Sequence, residues 1–577
     1  MARTVGVGIQ DFGKIIENNC FYVDKTAFIK EWWENRDDVT LITRPRRFGK
    51  TLAMSMLEHF FSVEYAGRGD LFEGLGIWNE KFPDGAKSPD GAKSPDGDYK
   101  YRSLQGSYPV IFLSFASVKE ITFSNTRKKI CDLIAKLYNK YDFLLESGHL
   151  NEKEQASYRA VSAEMEDYRA SGSLNALSDY LSRYYGKKTI ILLDEYDTPM
   201  QEAFVYGYWD EMAAFMRSLF NSTFKTNPYM ERAIMTGITR ISKESIFSDL
   251  NNLEVVTTTS CKYEDAFGFT EGEVFAAMDE FGLGEKAEVR AWYDGFTFGG
   301  TPDIYNPWSI INYLDKRRFA AYWANTSSNS LIGKLVREGD PEVKTAMEDL
   351  LQGKTFRTRI DEQILFSQLD SNTSAIWSLL LAGGYLKVEQ AALDNRGKPE
   401  YDLKLTNTEV RIMFEQMIDG WFADYTSAYN AFVRAMLIDD KKAMNVYMNR
   451  TALATFSFFD AGNKPSEATE PERFYHGFVL GLMVDMAGRY RVTSNRESGF
   501  GRYDVMLEPL KAGDPAFVLE FKVRDPEDEK TLADTVSAAL RQIDEKAYDM
   551  ELAARGISGE RIRHYGFAFE GKTVLIG

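Results

Sequence analysis

Three consecutive residues, Gly49, Lys50 and Thr51, have the types and the order that bind nucleotide phosphates. They follow the apolar segment "DVTLIT", and Thr51 begins "TLAMSMLEHFF", in which Leu, Met and Phe recur at helical spacing. This order predicts a strand, a loop and a helix whose first N–H groups face an anion. Gly49 would let the backbone approach the ligand, Lys50 would reach the β- and γ-phosphates, and the Thr51 hydroxyl would ligate Mg²⁺. The usual loop has a glycine where this chain has Arg44, so a helix start without a ligand is the alternative.

A second group of candidate residues ends the apolar segment "TIILLDEYD". Asp194 would bind Mg²⁺ directly or through water, and Glu195 would orient or activate the attacking water in phosphoryl transfer. The alternative is an exposed strand end with an acidic turn, which suits Asp197 better than the two acids before it. Another segment, "AIMTGIT", ends at Thr239 and Arg240. The Arg240 guanidinium would stabilise transition-state charge or form an ordinary surface salt bridge.

Two carboxylates and a lysine form a third group, in "FGRYDVMLEPLKAGDPAFVLEFKVR". The segment predicts two strands joined by a Gly/Pro turn, with Asp504 in the first strand and Glu520 and Lys522 in the second. Because side chains alternate along a strand, Glu520 and Lys522 share one face, and a hairpin brings Asp504 alongside. The two carboxylates would bind Mg²⁺, and the lysine would position water for attack on a phosphodiester. A solvated Glu–Lys charge pair is the alternative.

The first region that must position these residues is 1–270, in which predicted strands and helices alternate. Short β-branched segments alternate with longer helical patterns, which predicts a mainly parallel sheet and, with the phosphate loop, a P-loop NTPase fold. Residues 271–330 have a helical, aromatic-rich pattern and predict a small helical lid on this domain. Residues 331–465 predict a connector, in which a helix, two short strands and a helix over 375–420 resemble a winged helix.

Composition limits what the chain can bind. Its 577 residues carry a formal net charge of −17, which opposes any chain-wide attraction to nucleic acid or anionic lipid. Three distant cysteines, the lack of a signal core and the lack of about 18 consecutive apolar residues predict a cytoplasmic protein without a membrane partner. Nucleic-acid binding therefore needs a local basic strip, with ordinary surface arginines as the alternative. The candidates for that strip are Arg489, Arg491, Arg496 and Arg502.

A six-residue unit, "PDGAKS", is copied in tandem between Phe82 and Tyr99. Its Pro, Asp and Gly residues favour turns and cannot bury a core. The repeat therefore predicts a flexible surface insertion.

Seven segments of the first half are together similar to a known family, and they read "FYVDKT", "LITRPRRFGKT", "ILLDEYDTP", "TGITRISKESIFSDLNNL", "FGFTEGEV", "WYDGF" and "YNPWSI". They resemble the AAA-ATPase-like family of bacterial proteins over most of residues 1–330. That family normally has R-P-R-R-F-G-K-[ST] in place of the glycine-first loop, so Arg44 is its usual residue. The resemblance implies ATP and Mg²⁺ as ligands and puts the charges of Arg46 and Arg47 beside the phosphates.

The C-terminal carboxylates and lysine resemble the PD-(D/E)XK nuclease superfamily. The similarity covers about 471–577, after the linker-like "NKPSEATEP". It implies an α/β restriction-endonuclease-like domain that uses Mg²⁺ and acts on DNA or RNA. Upstream, "PERFYHGFVLGLM" carries Glu472, where the superfamily often places a further metal-site acid. Downstream, Gln542 and Lys546 lie four apart on one helical face and match the superfamily's helix after the Glu-x-Lys strand.

These features favour an ATP-binding and ATP-hydrolysing protein coupled to a Mg²⁺-dependent nuclease. The alternative is a nucleotide-regulated binding or signalling protein whose nuclease-like domain is non-catalytic. A third hypothesis is a regulator that reads DNA through the winged helix, and it is weakened because this copy lacks a basic recognition helix. Assembly into a homo-oligomer stays open under all three hypotheses.

Overall fold

A computed structural model describes residues 3–82, 99–239, 246–247, 250–323, 330–339, 341–360, 373–421, 426–459, 470–498, 501–570 and 573–577. The chain divides into two units. The first contains Met1–Ser327, Thr358–Tyr401 and Thr406–Glu409, and the second contains Ser328–Arg357, Asp402–Leu405 and Val410–Gly577. The stretch predicted as a connector, 331–465, is therefore divided between the two units.

Five strands of the first half form one sheet, and they are β1 (Val39–Thr43), β2 (Val110–Ser114), β3 (Thr189–Asp194), β4 (Met230–Gly237) and β5 (Leu253–Val256). The order across the sheet is β2-β3-β4-β1-β5, and each neighbouring pair is parallel. Both β1 and β3 are buried along their whole length, as is typical of parallel sheets. The predicted α/β fold with a parallel sheet is confirmed.

The helices of this part begin where the sequence leaves the strand pattern, and they are α1 (Phe12–Glu17), α2 (Ala27–Asn35), α3 (Lys50–Phe61), α4 (Gly76–Asn79), α5 (Phe123–Lys140), α6 (Glu152–Arg159), α7 (Asp167–Tyr185), α8 (Thr198–Tyr206) and α9 (Trp209–Phe224). In α3, Met54, Leu57 and Phe61 are buried in the same core cluster as Ile42 of β1 and Ile190 of β3. Burial of each such side chain contributes about 1.5–3 kcal/mol. This apolar stripe fixes the start of α3 against the sheet.

The segment that carries the "PDGAKS" repeat, 83–98, lies outside the described residues, but the residues on either side pair with each other. Lys81 and Tyr99 form an antiparallel bridge, and the Lys100 N–H donates to the Glu80 carbonyl at 3.0 Å. Because the two ends already meet, deletion of residues 88–98 should leave the melting temperature within about 3 °C, as a shorter loop closes at least as readily. Thermal unfolding of both proteins measures this. A loss of about 10 °C or more would show that the segment docks on the fold.

The aromatic-rich region after the sheet contains β6 (Phe269–Thr270), α10 (Glu271–Phe281), α11 (Lys286–Tyr293), β7 (Phe296–Phe298), β8 (Thr301–Tyr305) and α12 (Pro307–Lys316). The prediction of a helical lid is incomplete here, because beside the three helices three strands form an antiparallel sheet in the order β6-β8-β7. Gly299 turns the chain between β7 and β8 with a left-handed φ of 55°. Phe296 and Phe298 on either side of exposed Thr297 are buried, which is the alternation of a strand.

The next stretch of chain contains α13 (Ser330–Glu338), α14 (Pro341–Leu351), β9 (Phe356–Thr358), α15 (Thr373–Ala382), β10 (Leu386–Leu393), β11 (Pro399–Leu405) and α16 (Thr408–Trp421). The order of helix, two strands and helix that was predicted over 375–420 is found as α15, β10, β11 and α16. Over the whole described part of the chain, every helix is too short or too polar to cross a bilayer.

The C-terminal part contains α17 (Thr426–Leu437), α18 (Lys441–Phe459), α19 (Glu470–Met486), β12 (Tyr490–Ser498), β13 (Gly501–Pro509), β14 (Ala516–Val523), α20 (Leu532–Lys546), α21 (Met550–Ala554), β15 (Ile562–Glu570) and β16 (Thr573–Ile576). The sheet order is β12-β13-β14-β15-β16, in which β14 and β15 are parallel and the other pairs are antiparallel. Helix α20 crosses between the two parallel strands and packs on both. This is the mixed α/β domain that the sequence predicted.

Two asparagines of α18 bind the backbone of the edge strand β16. Asn445 donates to the Ile576 carbonyl and accepts from its N–H, both at 2.8 Å. Asn449 makes the same pair of bonds with Val574, at 2.6 and 2.9 Å. Residues four apart on a helix advance about 6 Å and alternate residues of a strand about 6.6 Å, so the two repeats coincide. The side-chain amides thus take the place of a neighbouring strand.

Candidate functional site

The loop after β1 presents the N-terminus of α3 at the carboxyl edge of the parallel sheet. Arg47 and Gly49 have left-handed φ angles of 66° and 82°. A Cβ at Gly49 would meet no atom within 4 Å, so glycine is needed there for the backbone angle and not for space. Since glycine offers no capping side chain, the first N–H groups of α3 can bind an anion.

Lys50, the first residue of α3, points back over the loop. Its ammonium donates to the carbonyls of Arg44 and Pro45, each at 2.8 Å. Burial lowers the pKa of Lys50, and the carboxylates of Glu195 and Asp197 act in the opposite direction. The ammonium therefore lies at the N-terminal end of the helix and is bonded to neutral acceptors, which the charged oxygens of a phosphate would be able to replace.

Thr51 and Asp194 come together because β1 and β3 both border β4. The Thr51 hydroxyl donates to Asp194 Oδ2 at 2.8 Å, and the Thr236 hydroxyl of β4 donates to Oδ1 at 2.6 Å. Asp194 is fully buried, and burial raises its pKa. A hydroxyl and a carboxylate are the oxygen ligands that Mg²⁺ prefers, and a cation would offset the cost of the buried charge. The donor chemistry thus fits the predicted metal.

Glu195 follows the strand in a conformation that is rare for its residue type. Its φ is 51°, in the left-handed region. The Glu195 N–H donates to the Thr236 hydroxyl at 3.3 Å, and Oε2 accepts from the Thr198 hydroxyl at 3.1 Å. Backbone strain of this kind is common at functional sites, where the surroundings hold it in place. It turns Glu195 away from the direction of β3 while Asp194 stays within the sheet edge.

Arg46 and Arg47, predicted beside the phosphates, contact neighbouring elements. Arg46 Nη2 donates to Gln201 Oε1 at 3.0 Å, and the Arg47 guanidinium carbon lies 4.4 Å from the ring centre of Trp308. Asn306, which caps α12, donates to the Arg46 carbonyl at 3.3 Å. The loop is therefore held from α8 on one side and from the start of α12 on the other.

Arg44 stands where other phosphate loops have glycine, and its side chain is fully buried. Nη1 donates to the Thr257 carbonyl at 2.6 Å and Nη2 to the Tyr263 carbonyl at 3.3 Å. The guanidinium carbon lies 4.5 Å from the ring centre of Phe298 in β7. Burial lowers the pKa of Arg44 to about 9. Arg44 thus ties the loop to the chain after β5 and to β7.

Arg44→Gly restores the glycine of the common loop, and we expect it to lower stability. The change empties a buried volume and leaves several carbonyls without their donor, which together cost about 3 kcal/mol or more. Urea unfolding of the two proteins measures the difference in the free energy of unfolding. A variant as stable as the parent would mean that the buried ties of Arg44 contribute nothing.

Asp197 is where the structure departs from the sequence interpretation of this site. The alternative of an exposed acidic turn does not hold at Asp197, which is only 1% exposed and accepts from the N–H groups of Ile238 and Thr239. Sequence reasoning also missed Thr236, whose signal is a hydroxyl directly after the apolar residues 233–235 of β4. Arg240 lies outside the described residues.

The C-terminal carboxylates and lysine lie on the two adjacent strands β13 and β14. Asp504 Oδ2 accepts from the Phe521 N–H at 2.8 Å. Gln542 of α20 donates to Glu520 Oε1 and accepts from Lys522 Nζ, the latter at 2.8 Å. The predicted face is therefore present, since Glu520 and Lys522 share the partner Gln542. Lys546, the other helix residue of the predicted pair, is exposed.

The electrostatics of these carboxylates fit a divalent cation. Glu520 is 3% exposed, and its Oε2 is buried without a hydrogen-bond partner within the described ranges. Burial and the charge of Asp504 raise the pKa of Glu520, and burial raises the pKa of Asp504. A cation between the two would supply the missing partner and lower both pKa values.

A third carboxylate was expected from Glu472. This residue lies in α19, but its side chain is outside the described part of the chain. Where side chains are described, three or more His, Cys, Asp or Glu residues nowhere form a metal-binding group. The described part of the centre therefore consists of two carboxylates, a lysine and a glutamine. Gln542 Nε2 also donates to the Tyr548 hydroxyl at 3.0 Å. The motif did not suggest Tyr548.

The predicted basic strip is only partly available for phosphate. Arg489 forms an ion pair with Asp514 at 2.9 Å, and Arg491 forms one with Glu508 at 3.3 Å. The side chains of Arg496 and Arg502 lie outside the described residues. For the first two arginines the structure favours the alternative of ordinary surface ion pairs.

Comparison with known proteins agrees with the two resemblances. Residues 6–247 match the family described as Predicted AAA-ATPase, and residues 470–577 match the PD-(D/E)XK nuclease superfamily. An uncharacterized protein in the vnfD 5' region of Azotobacter chroococcum mcd 1 is 27% identical over 425 residues, which are 72% of this chain and 70% of that protein. Both family resemblances are thus confirmed.

Proposed function

We propose, with the two matched families as the premise, that the chain hydrolyses ATP at the phosphate loop and cleaves nucleic acid at the C-terminal centre. The observation that supports this best is the convergence at each site of the side chains that the chemistry needs. Lys50, Thr51 and Asp194 meet at the end of the parallel sheet, and Glu520 and Lys522 meet around Gln542.

At the phosphate loop, Lys50 exchanges its carbonyl acceptors for phosphate oxygens, and the N–H groups of α3 bind the same anion. Thr51 and Asp194 would hold Mg²⁺, which neutralises phosphate charge when bound. Glu195, placed next to Asp194 and turned out of the strand, orients the attacking water. The water attacks the γ-phosphorus, the bond to the β-phosphate oxygen breaks, and ADP leaves with phosphate as the other product.

At the C-terminal centre, Asp504 and Glu520 would hold Mg²⁺, which polarises the phosphodiester when bound. Lys522, as an ammonium that donates to Gln542, positions the attacking water and stabilises the hydroxide that forms when this water gives up its proton to solvent. Gln542 keeps the lysine and Glu520 at a fixed separation, because it bonds both. The water attacks phosphorus, and the departing sugar oxygen takes a proton as the backbone bond breaks.

The second candidate function is a nucleotide-regulated binding protein whose nuclease-like domain is non-catalytic. It is favoured by the ion pairs of Arg489 and Arg491, which leave less positive charge for a nucleic-acid backbone.

Incubation of the full chain with labelled DNA and RNA separates the two candidates. With Mg²⁺ we expect cleavage that is lost on chelation, falls as salt is raised and changes in rate when ATP is added. If both polymers stay intact with Mg²⁺ or Mn²⁺, with or without ATP, the binding candidate replaces the nuclease.

A further inference from the structure

Asp197 is a buried carboxylate whose Oδ2 accepts from four donors. The N–H groups of Ile238 and Thr239 donate at 2.9 and 3.0 Å, and the Thr239 hydroxyl donates at 3.1 Å. The fourth donor is the amide of Gln201, at 3.0 Å. Burial disfavours a carboxylate unless donors compensate. Asp197 therefore fixes the two residues that follow β4.

Gln201 extends this network to the phosphate loop. It lies four residues after Asp197, so the two side chains share one face at the start of α8. Its Oε1 accepts from Arg46 at 3.0 Å while its Nε2 donates to Asp197. A continuous chain of hydrogen bonds thus runs from a loop guanidinium to a buried carboxylate, and each bond polarises the next.

The turn after β3 contacts the end of β4 at further points. The Tyr196 N–H donates to the Thr236 carbonyl at 3.0 Å, and the Tyr196 hydroxyl donates to the Thr239 carbonyl at 2.7 Å. A Cβ at Gly237 would lie 2.6 Å from the Tyr196 ring and 2.8 Å from Asp197 Oδ1. Only glycine allows the turn to lie so close. A shift of the turn must therefore shift the end of β4 with it.

We propose that Asp197 and Gln201 are positioning residues that couple the phosphate loop to the end of β4 during ATP hydrolysis, an inference that rests on the proposed function. Arg46 is held by a neutral amide, whereas a nucleotide phosphate offers it a charged acceptor and a stronger bond. The phosphates therefore compete with Gln201 for Arg46. ATP carries one phosphoryl group more than ADP and competes more strongly, so the network distinguishes the two nucleotides.

Hydrogen exchange at the amides of Ile238 and Thr239 in the full chain tests the coupling without any nucleotide. Gln201→Leu nearly keeps the side-chain volume and removes both bonds of the amide. We expect the two amides to exchange about fivefold faster, as for the loss of one hydrogen bond. Gln155→Leu, the same change at a glutamine that bonds the Leu150 carbonyl, should leave both rates unchanged. Equal rates in Gln201→Leu and the parent protein would overturn the coupling.

Calorimetry and steady-state kinetics then test the regulation. In Gln201→Leu a non-hydrolysable ATP analogue should bind about fivefold more tightly relative to ADP, since Arg46 no longer has to leave an acceptor. The kcat should fall about tenfold, because the end of β4 is held less firmly, and KM should fall by up to about fivefold with the tighter binding of ATP. If the ratio of the affinities for the ATP analogue and ADP stayed unchanged in Gln201→Leu, the proposed discrimination between the two nucleotides would be overturned. A parallel loss of both affinities and of melting temperature would overturn it as well. If the parent protein binds neither nucleotide, the proposed function fails, and the exchange rates still decide the coupling.

Discussion

Lys50→Ala should lower the affinity for ATP by at least about 100-fold. The lysine ammonium is the charged donor at the phosphate-binding end of α3, and the loss of one such partner typically costs 2–5 kcal/mol. Titration calorimetry with ATP and Mg²⁺ measures the affinity. Equal affinity in the variant and the parent protein would remove the phosphate loop from consideration as the nucleotide site.

Two further variants separate binding from folding and from chemistry. Lys50→Met keeps most of the buried volume, so it should lose ATP affinity as Lys50→Ala does while unfolding closer to the parent temperature. Glu195→Gln keeps the shape of the residue and the acceptor for Thr198, and it should bind ATP within about threefold of the parent while hydrolysis slows about 100-fold or more. Unimpaired hydrolysis in Glu195→Gln would mean that another group orients the water.

Asp504→Ala and Lys522→Ala should each lower cleavage of labelled nucleic acid by about 100-fold or more. Asp504 supplies one of the two described carboxylates for the cation. Lys522 is the only one of the proposed catalytic side chains here that carries a positive charge, and its bond to Gln542 holds it beside Glu520. Cleavage that continues unchanged in Lys522→Ala would exclude the proposed role of this lysine.

Controls for these variants come from the same sheet. Asp504 also accepts from the Phe521 N–H, so Asp504→Asn, which keeps an acceptor oxygen, should lose activity while retaining the melting temperature better than Asp504→Ala. Lys511→Ala removes an exposed lysine from the turn between β13 and β14 and should leave cleavage unchanged. If Lys511→Ala lost as much activity as Lys522→Ala, cleavage would depend on the total positive charge of the domain and not on the position of Lys522.

Sequence patterns located the strands and singled out the residues of both candidate sites because each pattern is local. The burial of β1 and β3 on both faces gives continuous apolar segments, and the alternation along β14 predicts that Glu520 and Lys522 share a face. The helix after the phosphate loop follows from apolar spacing in the same way. Local order therefore sufficed for the motif residues and for the α/β fold.

Other features depend on contacts between distant segments, which no local pattern contains. Arg44 stands at the start of the phosphate loop, yet its partners at 257 and 263 turn its side chain into the core. Asp197 looks like part of an exposed turn, yet the N–H groups at 238 and 239 stabilise it when buried. Gln201 belongs to no recognised motif, and only folding brings its side chain between those of Arg46 and Asp197.

The asparagines of α18 have a consequence for where the C-terminal domain can be cut. An exposed edge strand is a template on which another chain can add a strand, and such pairing leads to aggregation. Asn445 and Asn449 occupy the N–H and carbonyl groups of Val574 and Ile576, so β16 offers no such template at these positions. The superfamily match begins only at residue 470, after α18 has ended. A fragment cut at that match would expose the edge, whereas one that keeps α18 would carry its own protection against self-association.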